Sequence, residues 1–139
     1  MIGLLIVAHG DLAPALLAAT EHVVGPQRNA RSVAIAPTDD PMERQAEIDR
    51  LVAEIDEGDG VVLITDLFGG SPANLALGSM RTDRIEVIWG ANLPLLVKLA
   101  KLRDRPLAEA VQAAIEAGHR YIDSASRILD PERARRVGE

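Results

Sequence analysis

The 139-residue sequence contains no cysteine and very few aromatic residues, and both absences exclude classes of function. Without cysteine there is no disulfide, no thiolate nucleophile and no thiolate metal ligand. Aromatic residues make up 2% of the chain, too few for the stacking platforms that bind single-stranded nucleic acids. Basic residues are also scarce, because 15 Lys and Arg against 21 Asp and Glu give a net charge of −6. This charge disfavours non-specific binding to nucleic acids and to anionic membranes.

Membrane spans and the common ligand motifs are missing as well. The apolar stretch at residues 1–8 is too short to cross a bilayer and has no basic residues before it, so it predicts neither a signal peptide nor a transmembrane helix. No His-x-x-x-His pair or dense acidic cluster has the spacing of a metal site, and there is no Walker or GxGxxG loop for a nucleotide. We therefore expect a cytoplasmic globular protein without a metal or another cofactor.

Strand-like and helix-like segments alternate along the chain. Four strands are predicted, at residues 1–9, 32–36, 61–65 and 85–89. The first and third are apolar almost throughout, which is typical of strands buried on both faces of a parallel sheet. The fourth mixes polar and apolar residues, so we expect it to lie nearer the edge.

Five helices are predicted from their capping residues and the apolar periodicity that follows. Their predicted starts are Asp11, Asp40, Ser71, Asn92 and Pro106. Glycines predict the ends of three of them, at Gly25, near Gly58 and at Gly118. Residues 119–129 are ambiguous between helix and strand, and residues 130–139 are expected to form a charged, frayed tail.

This alternation with short connections predicts an α/β fold, an open, mainly parallel sheet with helices on both faces. Placing the two apolar strands at the centre gives the flavodoxin-like strand order 2-1-3-4. Sheets of this type bind ligands at the carboxyl edge, at the switch point between the first and third strands. The length suits one domain, assigned here to residues 1–129, followed by the tail at 130–139.

His9 and Asp66 directly end these two central strands, so the topology predicts that they lie side by side at the mouth of one crevice. A carboxylate that accepts a hydrogen bond from one imidazole nitrogen fixes the tautomer and leaves the other nitrogen free as a nucleophile. The alternative is that His9 is an ordinary loop residue and that Asp66 only caps backbone N–H groups. His22 and His119 are expected to be surface residues.

The segment after the third strand has the composition of an anion-binding loop. Gly69 and Gly70 allow close approach of the backbone to a ligand, and Ser71, predicted as a helix N-cap, offers a hydroxyl and oriented N–H groups. Taken alone, Gly-Gly-Ser-Pro is also ordinary turn-plus-cap sequence. Asn92, after the fourth strand, is expected at the same rim, where capping of a helix and contact with the substrate or a docking partner are equally reasonable roles.

These motifs together resemble the enzyme IIA domain of the mannose family of the bacterial sugar phosphotransferase system. The resemblance rests on the strand followed by His9-Gly10, on Asp66-x-x-Gly-Gly-Ser-Pro-x-Asn, and on Gly90-Ala-Asn-Leu-Pro-Leu-Leu-Val. It covers residues 2–122. It implies that His9 accepts a phosphoryl group from the phosphocarrier protein HPr and donates it to enzyme IIB, and that Asp66 orients the imidazole.

The resemblance also implies further site residues and partners. Backbone N–H groups around Gly69 to Ser71, and after Gly10, would hold phosphoryl oxygens, and Leu67 and Phe68 would line an apolar docking rim. The family implies a homodimer in which a C-terminal strand, here residues 119–129, is exchanged as an antiparallel fifth strand. Because the sequence ends at Glu139, the IIB-type acceptor is expected to be a separate polypeptide.

Two other functions stay open on the sequence. A Ser-His-Asp hydrolase would use Ser71 as nucleophile, His9 as base and Asp66 as orienter, although Ser71 is not in a Gly-x-Ser-x-Gly elbow. A regulatory module would be phosphorylated on His9 but would control a partner instead of supplying a sugar permease.

Overall fold

A computed structural model describes residues 1–137 of the chain. Within these residues four strands and seven helices follow one another in the order β1 (Gly3–His9), α1 (Leu12–Val24), β2 (Ala30–Ile35), α2 (Pro41–Ile55), β3 (Val61–Thr65), α3 (Ser71–Gly78), β4 (Ile85–Ile88), α4 (Leu93–Lys101), α5 (Leu107–Arg120), α6 (Ala125–Leu129) and α7 (Pro131–Val137). No helix in this part of the chain is long and apolar enough to cross a membrane.

The strands form one parallel sheet in the order β2-β1-β3-β4, which confirms the predicted order. Across the β1–β3 pair Val7 lies beside Thr65, and across the β1–β2 pair His9 lies beside Ile35. Because all strands point the same way, the ends of β1 and β3 meet at one edge of the sheet. His9 and Asp66 are therefore neighbours at the carboxyl edge, as predicted.

Helices cover both faces of the sheet, and each face has its own apolar core. Alternate residues of β1 point to opposite faces: Leu4 and Ile6 pack with residues of α1, α4 and α5, whereas Leu5 and Val7 pack with residues of α2 and α3. Both sets are buried. This burial on both faces explains why β1 is apolar almost without alternation. It also holds in place the ends of β1 and β3, where His9 and Asp66 lie.

Two predicted helix ends are wrong. Ser71 is the first residue of α3, and the N-cap is Gly70, whose carbonyl accepts a hydrogen bond from the Asn74 N–H. Gly118 does not end α5, which continues to Arg120. A Cβ at Gly118 would lie 3.3 Å from Leu95 of α4, so this glycine allows the two helices to approach closely.

The C-terminal part of the chain is helical in this structure. Residues 119 and 120 complete α5, residues 125–129 form α6, and Pro131–Val137 form α7, which packs against α6. The ambiguous segment therefore contains a short helix in the single chain, and the sheet of residues 1–137 has four strands. The last two residues of the predicted tail, 138 and 139, lie outside the described residues.

Candidate active site at the carboxyl edge of the sheet

His9 and Asp66 form the centre of the site. The Asp66 Oδ2 atom lies 2.7 Å from His9 Nδ1 and also accepts a hydrogen bond from the His9 backbone N–H at 3.0 Å. The second carboxylate oxygen, Oδ1, accepts a hydrogen bond from the Leu67 N–H at 2.9 Å. The Asp66 side chain is 10% exposed and the His9 side chain 51% exposed. The carboxylate is thus held beneath an imidazole that opens to solvent.

The Asp66 carboxylate is kept ionised by its neighbours. Its burial raises its pKa, but the hydrogen bonds from the His9 backbone, the imidazole and the Leu67 N–H, with the charge of the imidazole, outweigh burial, and the pKa of Asp66 lies below its usual value. An ionised carboxylate can only accept hydrogen bonds. His9 Nδ1 must therefore carry the proton, and in the neutral ring the lone pair lies on Nε2.

Gly70 packs directly against this free nitrogen. A Cβ built at Gly70 would lie 2.9 Å from His9 Cε1 and 3.2 Å from Nε2. The backbone of Gly70 therefore bounds one side of the imidazole, and a residue with a side chain at this position would overlap the ring. Gly69 has φ +89°, in the left-handed region that favours glycine. The two glycines serve the site for different reasons, one steric and one conformational.

The start of α3 lies beside the imidazole and has no side-chain cap. Within residues 1–137 the N–H groups of Gly69 and Ser71 donate to no protein acceptor. Unpaired N–H groups and the positive end of the helix dipole together favour an anion. The Gly10 N–H itself donates to the Ile35 carbonyl at 2.9 Å and is not available to a phosphoryl oxygen, while the role expected of the N–H groups after Gly10 stays a prediction. Its φ of +54° suits the turn into α1.

Ser71 is exposed, but its hydroxyl makes no hydrogen bond to His9 in the described part of the chain. The hydrogen-bonded nucleophile and base that a Ser-His-Asp hydrolase requires are therefore not assembled here. A fluorophosphonate that labelled Ser71 would restore that interpretation.

Replacing Gly70 by Ala should displace the imidazole. The new methyl group would overlap a ring that is also held by Asp66, while the Gly70 backbone, at φ −89°, accommodates alanine without strain. We expect altered His9 ring resonances in ¹H–¹⁵N correlation spectra and little change in melting temperature. Gly69→Ala is the comparison variant, because its Cβ would meet nothing within 4 Å and any effect on His9 would come from backbone strain at φ +89° and not from overlap with the ring. Unchanged His9 resonances in Gly70→Ala would contradict the steric role.

Three apolar side chains rim the site. Leu67 and Phe68, predicted as docking residues, are 54% and 64% exposed, so neither belongs to the core. The Phe68 ring lies 4.7 Å from that of Trp89, which is 49% exposed. The sequence pattern did not identify Trp89 as a site residue, because it ends a strand that mixes polar and apolar residues, where a tryptophan is common. Its position directly before Gly90-Ala-Asn92 is the sequence feature that could have identified it.

Asn92 lies at the same edge, but both ends of its amide are used by the protein. Its Oδ1 accepts a hydrogen bond from the Leu95 N–H at 3.0 Å, and its Nδ2 donates to the Gly118 carbonyl at 3.1 Å. These bonds confirm the predicted cap of α4 and join α4 to α5. They do not support the alternative of substrate or partner contact.

Neither of the other two histidines is hydrogen-bonded to Asp66 in the described residues. His22 lies within α1 and His119 near the end of α5, and both are exposed, as predicted. His119 lines an apolar groove together with Trp89 and Asn92. No group of three or more histidine or acidic side chains among residues 1–137 is arranged to hold a metal ion. The chemistry available at this edge is therefore that of one oriented imidazole beside a helix N-terminus.

Comparison with known proteins agrees with this arrangement. The family model described as PTS system fructose IIA component matches residues 3–116. The mannose-specific EIIAB component of the Escherichia coli PTS is 32% identical over 120 residues, which are 84% of this chain and 37% of that protein. The fructose-specific EIIA component of Bacillus subtilis is 30% identical over 105 residues, 75% of this chain and 72% of that protein.

Solved structures show the same fold. A PTS IIA protein associated with the fucose utilization operon of Streptococcus pneumoniae superposes with a TM-score of 0.79 at 30% identity, covering 93% of this chain and 96% of that one. The component EIIA from Streptococcus agalactiae superposes with a TM-score of 0.81 at 25% identity, covering 91% and 98%. The chain spans about a third of the EIIAB relative and most of the single IIA proteins. By its sequence and its fold, this chain belongs to the family of fructose- and mannose-type IIA components of the phosphotransferase system.

Proposed function

We propose that this protein is a cytoplasmic phosphohistidine relay that accepts a phosphoryl group from phospho-HPr on Nε2 of His9 and passes it to a IIB-type acceptor. The observation that carries the proposal is the 2.7 Å contact between His9 Nδ1 and the buried Asp66 carboxylate. This contact fixes the proton on Nδ1 and leaves Nε2 as the exposed nucleophile. Membership of the IIA family supports the phosphoryl chemistry and the choice of partners.

The proposed step transfers one phosphoryl group between two imidazoles. The Nε2 lone pair of His9 attacks the phosphorus of the donor's phosphohistidine, and a new N–P bond forms as the donor's N–P bond breaks. The electron pair of the broken bond stays on the donor imidazole. The His9 ring, now bonded at Nε2 and protonated at Nδ1, carries a positive charge that the Asp66 carboxylate compensates. Transfer to the acceptor is the same step in reverse.

The N-terminus of α3 supplies the complementary charge for the phosphoryl oxygens. The N–H groups of Gly69 and Ser71 lack protein acceptors in the described residues, and Gly70 brings this helix start against the imidazole. Donors fixed in place before the reaction stabilise a transferring phosphoryl group without further reorganisation. No metal ion is needed for a transfer between two such nitrogens in this scheme.

The test is incubation with phosphoenolpyruvate, enzyme I and HPr. We expect intact-protein mass spectrometry to show one added phosphoryl group, which is lost in acid and remains in mild alkali. The label should be discharged on addition of a phosphotransferase-system IIB protein. No labelling, or an acid-stable label of the kind a serine ester gives, would contradict the proposal. Labelling without discharge to any IIB protein would favour the regulatory alternative.

We also propose that two chains associate along the free edge of β4. That edge has no strand partner in residues 1–137, and an apolar groove of about 540 Å³ runs beside it, lined by residues that include Val87, Trp89, Ile115 and Ile122. The C-terminal segment carries exposed Ile122, Ile128 and Leu129. An unpaired edge beside exposed apolar residues favours pairing with a second chain.

Light scattering should show a dimer at micromolar concentration. Deleting residues 121–139 leaves α5 whole and should weaken the dimer, whereas deleting residues 130–139 is the control that keeps Ile122, Ile128 and Leu129. A stable monomer would contradict the dimer. A dimer of unchanged affinity after the longer deletion would contradict the role of the C-terminal segment.

A further inference from the structure

The loop from Asp66 to Gly70 holds the imidazole from two sides, and its conformation therefore sets the reaction geometry. At one end the Asp66 carboxylate contacts His9 Nδ1 at 2.7 Å. At the other end Gly70 packs against Cε1 and Nε2. A displacement of this loop moves the orienting carboxylate, the bounding glycine and the start of α3 relative to the same ring.

The middle of this loop has few backbone restraints. The Leu67 N–H donates to the neighbouring Asp66 side chain, and the Gly70 carbonyl accepts from Asn74. Phe68 and Gly69 make no backbone hydrogen bond to another strand or helix in the described residues. The contact of the Phe68 ring with Trp89, at a centroid distance of 4.7 Å and an interplanar angle of 46°, lies at this weakly held point.

Trp89 is itself well anchored. It follows β4 directly, and the next residue, Gly90, donates its N–H to the Asp66 carbonyl at 3.2 Å. The Ala91 N–H donates to the Thr65 carbonyl at 3.0 Å. The segment that carries Trp89 is thus hydrogen-bonded to Thr65 and Asp66, where the loop begins. The indole ring adds a contact from this anchored segment to Phe68 in the middle of the loop.

We propose that Trp89 is a positioning residue for phosphoryl transfer, which acts through Phe68 to hold the loop in the conformation that seats Gly70 against His9. This inference rests on the proposed function of His9. Tilted aromatic pairs at this separation are favourable beyond the apolar area that they bury. Misplacement of a reacting group by an ångström can slow a reaction by about 100-fold, so a modest loosening of the loop is sufficient for a large effect.

Single-turnover transfer from phospho-HPr separates positioning from docking. Trp89→Ala should lower the rate at saturating donor by about tenfold and leave the dissociation constant for the donor within about twofold. Trp89→Phe keeps an aromatic ring and should restore most of the rate. Tyr121→Ala removes another exposed aromatic ring from a different surface and is the control. A weaker donor affinity with an unchanged saturating rate would make Trp89 a docking contact and overturn the proposal.

Amide hydrogen exchange gives a readout that does not depend on phosphoryl transfer. In Trp89→Ala, the Leu67 and Asn74 amides, whose hydrogen bonds to Asp66 Oδ1 and the Gly70 carbonyl hold the two ends of the loop, should exchange several-fold faster than in the wild-type protein and in Tyr121→Ala, with the strands unchanged. Unchanged exchange in the loop would overturn the proposal even if the rate of transfer fell. If the wild-type protein accepts no phosphoryl group, the proposed function fails, and the exchange rates still decide whether Trp89 holds the loop.

Discussion

His9→Ala should abolish phosphorylation by phospho-HPr. The substitution removes the only imidazole that the described structure places beside an ionised carboxylate and an uncapped helix N-terminus. Loss of a nucleophile in a hydrolytic triad costs about 10⁶ in rate, and a relay with no other attacking group should fall below detection. The His9 side chain is 51% exposed, so the variant should fold normally. Quantitative mass spectrometry after incubation with enzyme I and HPr measures the loss.

The two other histidines provide matched controls. His22→Ala and His119→Ala each remove an exposed imidazole that has no hydrogen bond to Asp66 in the described residues, and both variants should still be labelled. Labelling that persists in His9→Ala would contradict the assignment of the nucleophile. A phosphoryl group found on Ser71 or Asp66 instead would identify that residue as the nucleophile.

Asp66→Asn should slow transfer strongly on a folded protein. The substitution nearly keeps the shape but removes the charge that compensates the phosphorylated ring. The new amide group can also donate a hydrogen bond to Nδ1, which favours the tautomer protonated at Nε2. The equivalent loss of a tautomer-fixing carboxylate in a hydrolytic triad costs about 10⁴ in rate. A relay between two similar imidazoles has a lower intrinsic barrier, so we expect a smaller loss. Rapid-quench transfer from phospho-HPr measures it.

Asp39→Asn is the control for a carboxylate that only caps backbone. The Asp39 Oδ2 atom accepts a hydrogen bond from the Ala36 N–H in the loop that follows β2, and it has no imidazole partner in the described residues. Asparagine keeps one oxygen acceptor, so Asp39→Asn can retain the bond from the Ala36 N–H, whereas Asp66→Asn gives up one of two oxygens that both accept backbone N–H groups. An N–H left unpaired in this way can cost about 1–3 kcal/mol of stability where it is buried. Only Asp66→Asn should slow transfer. Wild-type transfer in Asp66→Asn, with an unchanged circular dichroism spectrum, would leave Asp66 as a loop-capping residue.

The part of the site that follows from strand topology could be predicted from the sequence. The unbroken apolar runs of β1 and β3 show that both strands are central, and a parallel sheet brings the residues that end such strands to one edge. For this reason His9 and Asp66 could be paired without coordinates. The predicted cap of α4 by Asn92 is equally local, since it depends on one side chain and an N–H three residues later.

Contacts between distant segments could not be predicted in this way. In the sequence Gly70 is typical of a turn, and only the structure shows its backbone packed against His9. Likewise Gly118 is typical of a helix end, and only the structure shows α4 packed against it. Trp89 owes its interest to the Phe68 ring, which lies in another loop. In residues 121–129 the alternation of polar and apolar residues is weak, and local pattern does not decide between the α6 helix and a strand supplied to a second chain.

The identity of the phosphorylated nitrogen tests most directly whether Asp66 orients His9 for transfer through Nε2. Long-range ¹H–¹⁵N correlation spectra of the ¹⁵N-labelled protein, recorded before and after phosphorylation by phospho-HPr, distinguish the two nitrogens of each histidine ring. We predict that before phosphorylation His9 is the tautomer protonated at Nδ1, and that the phosphoryl group then appears on Nε2 while the Nδ1 proton is retained. Phosphorylation on Nδ1, or an unphosphorylated His9 in a labelled protein, would contradict this prediction.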